Sequence, residues 1–207
     1  MVTAIADLHS FEKDGRPSLT HNDICCHQFI LVDGIYKLND FHLAKFLKVR
    51  KKSGEVCHHY MGIGHHWALI HAPEEIERPS HAVDNAIADD YVIGNVMYYV
   101  LAKKWIFEDI SNSDGVEKLI HGERSPFPPH IANSTHPADI AFQKGITMLW
   151  THDVAQRPTS RQVSDFLLDE LRKITGEADP DLRVNIPPLP SDWDYGDEDF
   201  EANFNDD

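Results

Sequence analysis

The sequence predicts a mainly α fold carrying one short β-hairpin, on three observations. Asp33-Gly34 separates two short apolar runs, "FILV" and "IYKLN"; both residues of such a turn need positive φ, which makes the pair the strongest short-range hairpin signal. Between Asp89 and Lys103, the residues Val92, Ile93, Val96, Met97, Val100 and Leu101 recur at helical spacing and define one strongly buried face. Between Ser160 and Ile174 a second stripe is formed by Val163, Phe166, Leu167, Leu171 and Ile174.

In chain order, Thr3 to Phe11 reads as the last turns of a helix, with Ile5 and Leu8 on one face and the polar "EKDGRPS" closing it. The hairpin follows at 29–39. From Asp40 to about Ile70 the stretches "KVRKKSGEVCHH" and "MGIGHH" are basic, glycine-containing and aperiodic, the pattern of a long functional loop. Beyond it come the buried helix, a short helix at 116–121, a longer one at 138–150 and the last at 160–174. In all, one hairpin and five to six helices are expected. The final segment, "SDWDYGDEDFEANFNDD", interleaves aromatic residues with acids and has too few aliphatic residues to build a core. It is expected to be disordered.

The 207 residues carry a formal charge of −15, which argues against nucleic-acid binding. Most of that charge belongs to the tail: from Gly176 onward eleven acidic residues face one arginine. No apolar run is long enough to span a bilayer, no secretory leader is visible, and three cysteines, two of them adjacent, do not make a disulfide framework. An intracellular, cytoplasmic protein is expected.

Seven landmarks then appear in order: "His21-Asn22-Asp23", the hairpin, "Asp40-Phe41-His42", a long loop, "Ala72-Pro73-Glu74", a buried helix with Asp89 five residues before Gly94, and "Arg157-Pro158". Together they resemble the C-terminal lobe of eukaryotic protein kinases. The resemblance covers about 5–175 and implies a lobe at 1–175, with a catalytic loop at 21–28, an activation segment at 40–74 and an acidic tail at 176–207. It implies Asp23 as the base that takes the substrate hydroxyl proton. Asp40 would ligate Mg²⁺ on the phosphates of ATP, with Gln28 as the second metal ligand and nucleotide contact. Ile30 would form the floor under the adenine. His21 and Phe41 would pack together, Glu74 would pair with Arg157, and Asp89 would hold the catalytic loop through its backbone amides.

The departures from the family pattern are specific. Asn22 stands where the family has arginine, Cys25 where it has lysine, Gln28 for asparagine, His42 for glycine and Trp67 for threonine. Only 22 residues precede Asp23, so the Gly-rich loop and lysine of an N-terminal lobe are absent on this reading. Two functions follow. One is ATP-dependent phosphoryl transfer to protein Ser/Thr hydroxyls once an N-lobe completes the site, the 207 residues alone being inactive. The other is a catalytically impaired pseudokinase lobe that binds a protein partner or serves a regulatory role. A small-molecule kinase of the aminoglycoside or choline type lacks the Ala-Pro-Glu, the helix-initiating aspartate and the late arginine.

Two further features stand outside that scheme. Cys57, His58, His59, His65 and His66 are competent zinc ligands, but they lack the spacing of structural sites. The basic run Lys45, Lys48, Arg50, Lys51 and Lys52 is expected to receive the acidic tail 191–207.

Overall fold

The computed structural model describes residues 1–10, 17–57, 65–77 and 85–184. Seven α-helices among them are α1 (Val2–His9), α2 (Pro73–Glu77), α3 (Asn85–Ala102), α4 (Asn112–Ile120), α5 (Pro129–Ala132), α6 (Pro137–Leu149) and α7 (Ser160–Thr175). The strands are β1 (Leu19–Thr20), β2 (Phe29–Val32), β3 (Ile35–Leu38), β4 (Lys45–Phe46), β5 (Lys48–Val49) and β6 (Val56–Cys57). The fold is mainly α. No helix among the described residues is long and apolar enough to cross a membrane.

The hairpin forms from β2 and β3 in antiparallel register, Phe29 opposite Leu38 and Val32 opposite Ile35. Its turn residues Asp33 and Gly34 adopt φ of 52° and 78°, the backbone that Asp and Gly tolerate best. It is not the only β-structure. β1 pairs with β4 and β5 with β6, so the stretch after Asp40, aperiodic in sequence, contains one further antiparallel ladder and supplies one strand of another. Two-residue strands carry no legible alternation, and Leu19 finds Phe46 across 27 positions only when the chain folds.

α3 also differs from its expected form. It is buried nearly all round from Ala86 to Tyr98, polar residues Asp89, Asp90 and Asn95 included. The reason is its central position: α1, β1 and α6 all pack against it. A Cβ on Gly94 would lie 3.0 Å from both Leu149 Cβ and Trp150 Cδ1, so glycine sets how closely α3 and α6 approach. Beside it the Trp150 indole N–H donates to Asn95 Oδ1 at 2.7 Å, and Asn95 Nδ2 donates to the Ile70 carbonyl at 3.0 Å. These bonds satisfy groups whose unpaired burial would cost about 1–3 kcal/mol each.

α7 is amphipathic and packs on α1 and α6. Thr159 accepts from the Gln162 amide while Gln162 Oε1 accepts from the Thr159 amide, a reciprocal capping box that fixes its start. Gly176, at φ 74°, ends it. α4 begins four residues earlier than the apolar pattern implied, because Ser111 accepts from the Asp114 amide at 3.1 Å. α2 and α5, of five and four residues, begin on proline and raise the helix count above five or six.

Candidate functional site

The loop between β1 and β2 is held from beneath by the start of α3. Asp89 Oδ2 accepts from the His21 amide at 2.7 Å and Oδ1 from the Asn22 amide at 3.0 Å. His9 lies on the other side of the same carboxylate, its Nε2 3.1 Å from Asp89 Oδ2 and its Nδ1 3.4 Å from Asp90 Oδ1. Asp90 Oδ1 in turn accepts from both the amide (2.9 Å) and the hydroxyl of Ser160, at the head of α7. One buried imidazole thus joins α1, the loop support and α7. Burial pushes His9 down, but its hydrogen bonds to Asp89 and Asp90 and their charges outweigh that and raise its pKa to about 9. Neither His9 nor Asp90 was legible as part of a site, although an Asp-Asp pair heading a buried helix demands a buried cation.

His21 is fully buried. Its Nε2–H donates to the Asn39 carbonyl at 2.9 Å, which fixes the backbone just before Asp40, and its ring meets Phe41 edge-on at 5.2 Å. Nδ1 of the same ring has no hydrogen-bond partner among the described residues. Asn22 sits at φ 63°, a left-handed conformation that Asn tolerates. Its side-chain amide donates to Thr20 Oγ1 at 2.9 Å and to the Leu43 carbonyl at 3.2 Å. It therefore ties the loop to the segment after Asp40.

Asp23 is half-buried and borders a small cleft of about 20 Å³ lined also by Asn22, Ile24, His71, Glu75 and Asp89. Gln28, buried at the end of the loop, donates from Nε2 to Asp23 Oδ2 at 2.9 Å. Asp40, at φ 59°, is exposed. Its Oδ1 lies 2.5 Å from His42 Nδ1, and that hydrogen bond holds the Asp40 carboxyl below the usual carboxylate range. One donor atom each from Asp23, Asp40 and His42 lies within 4.8 Å of the other two. Asp23, Gln28 and Asp40 thus converge, and His42 joins them.

Cys25, two residues after Asp23, brings no positive charge to this cluster, and burial pushes its thiol up. Ile30 on β2 is 45% exposed and Phe41, next to Asp40 in the chain, 47% exposed, so both present apolar surface.

Glu74 and Arg157 meet across 83 residues in a bidentate pair, Nη1 to Oε1 at 2.6 Å and Nη2 to Oε2 at 3.0 Å. Arg157 also donates to the carbonyls of Ile87 at 2.9 Å and Thr151 at 2.8 Å, and its guanidinium lies 4.9 Å from the Tyr91 ring centroid. Arg124 lies over the same ring at 5.1 Å. The pair locks α2 to the α6–α7 connection and lies apart from the carboxylate cluster.

His71 and Glu75 are members of the cleft that the sequence did not single out. The Ala72 amide donates to Glu75 Oε2 at 2.9 Å, and His71 Nδ1 lies 3.4 Å from the same oxygen. Of the histidine-rich stretch, 58–64 lies outside the described residues, as does the acidic segment 185–207. No model of a known protein family matches the chain.

Proposed function

We propose that residues 1–175 are a protein-kinase-like C-terminal lobe, which carries ATP-dependent phosphoryl transfer to protein Ser/Thr hydroxyls when completed by an N-terminal lobe. The observation that carries this reading is the Asp89 carboxylate spanning the amides of His21 and Asn22, two residues from Asp23. It supports a loop built to present one carboxylate rigidly, because two charge-assisted hydrogen bonds fix the backbone that carries it. The edge contact of His21 with Phe41 and the Glu74–Arg157 pair agree with the same scaffold.

In this reading Asp23 accepts the proton of the substrate hydroxyl and holds its oxygen in line, a task that suits a carboxylate bordering a cleft. Asp40 and Gln28 would hold Mg²⁺, which neutralises charge on the phosphates. Ile30 supplies an apolar surface for the adenine.

A second reading, a catalytically impaired lobe that binds a protein partner, is favoured by one arrangement. Gln28 is engaged with Asp23, and Cys25 places no cation where one preorganised charge is worth about 3–4 kcal/mol of transition-state stabilisation. The discriminating experiment uses the 207-residue chain, alone and fused to a protein-kinase N-lobe. A rise in melting temperature with Mg²⁺ and ATP, followed by phosphate transfer to a protein that Asp23→Asn abolishes, supports the enzyme. A fused protein that folds but neither shifts with nucleotide nor transfers phosphate refutes it in favour of the binding lobe.

A further inference from the structure

The cluster at Asp23, Asp40 and His42 has a composition that neither reading uses. It contains two carboxylates and one imidazole, each offering a donor atom within 4.8 Å of the others. Around a first-row cation with bonds of about 2.1 Å, adjacent ligand atoms lie roughly 3–3.4 Å apart. From a spacing of 4.8 Å the trio needs to close by roughly 1.4–1.8 Å, and the side chains of Asp40 and His42, 43% and 58% exposed, have room to do so. Gln28 lies outside the trio and orients Asp23 through Oδ2, the supporting hydrogen bond that ligating carboxylates commonly have.

We infer that Asp23, Asp40 and His42 form a binding site for a first-row transition-metal cation, Zn²⁺ or its like, in preference to Mg²⁺, with no nucleotide required. The donor set decides the preference. Mg²⁺ demands six oxygens in near-ideal octahedral geometry and gives up water reluctantly, whereas an imidazole nitrogen suits Zn²⁺, Co²⁺ and Fe²⁺. Two carboxylates neutralise the divalent charge and leave positions open to water or an anion. To ligate, the His42 nitrogen that now bonds Asp40 must present its lone pair, so the cation replaces that hydrogen bond by lying between the two residues. A cation held here also occupies Asp23, so loading the site and using Asp23 as a base exclude each other.

The test is titration of the nucleotide-free 207-residue chain with Co²⁺, followed by its visible absorption. One equivalent is expected to give a bound-Co²⁺ spectrum that Zn²⁺ abolishes and a hundredfold excess of Mg²⁺ does not. Asp23→Asn, Asp40→Asn and His42→Gln are each expected to weaken binding at least tenfold, the smallest loss that follows removal even of a bond supporting a metal ligand. His42→Asp makes the trio all-oxygen and is expected to shift the Co²⁺/Mg²⁺ preference at least tenfold towards Mg²⁺. Far-UV circular dichroism identifies any variant that fails to fold, and His42→Asp stands in for His42→Gln in that case.

The inference is overturned by absence of a spectrum, by a spectrum that survives both Asp40→Asn and His42→Gln, or by one lost on changing His58, His59, His65 and His66 to Gln. The last outcome places the metal on the histidine-rich segment. Phosphate transfer plays no part in these readouts, so the failure of this inference and the failure of the phosphotransfer reading are separate results.

Discussion

Raising the pH from 6.5 to 9.5 is expected to strip His9 of the proton that holds Asp89 and Asp90 together. The folded imidazole titrates at about 9 against an ordinary 6.5, so the folded state binds the proton more tightly than the unfolded chain. A raised value means that the stabilisation is fully present below pH 6.5 and lost as pH climbs through 9. The gap is worth about 3 kcal/mol, and His9 is buried deeply enough for little of it to be lost to solvent screening. For a domain of this size that corresponds to a fall of about 6–12 °C in melting temperature. The assay is thermal unfolding by circular dichroism at half-unit steps from pH 6 to 10, for the natural chain and for His9→Gln. Other groups titrate in the same range, so the difference between the two curves is the quantity of interest. The variant starts lower at pH 6.5, since it leaves two buried carboxylates without their cation, and its curve is expected to be flat where the natural chain falls. Two curves falling in parallel from 6.5 to 9.5 would refute the assignment of charge to His9.

Two further outcomes follow from the packing. Glu74→Ala leaves the Arg157 guanidinium, whose side chain is fully buried, without its counter-ion, and is expected to cost about 3–5 kcal/mol in urea unfolding. Adding Arg157→Met is expected to recover much of that loss, and a double variant no more stable than the single one would count against the pair. The Val184 amide donates to the Gly34 carbonyl at 2.6 Å, bringing the last described residue to the tip of the hairpin. Lys45, Lys48, Arg50, Lys51 and Lys52 are exposed, and none forms an ion pair among the described residues. Deleting 191–207 is therefore expected to speed tryptic cleavage at 45–52 in low salt, with the difference vanishing at about 1 M, where screening acts within about 3 Å; equal rates at low salt would dismiss the interaction.

What could be read from the sequence was what local chemistry decides. Asp33-Gly34 fixes a turn through the φ values those two residues tolerate, and the stripe on α7 needs only a 3.6-residue period. The ladder between Leu19 and Phe46 has no such signature, nor has the junction of His9 with Asp89 across 80 residues; both exist only after α1 and α3 have packed. The carboxylate site lies between these cases. Comparison with the kinase motif that the sequence resembles marks Asn22 and His42 only as departures, because it records which residue differs. It does not record what the newcomer reaches. Asn22 spends its amide on Thr20 and Leu43, stiffening the loop from within, and His42 places a nitrogen donor against Asp40. Titration with Co²⁺ and Mg²⁺ is the measurement that decides whether these contacts serve a cation site of their own or only the geometry of the loop.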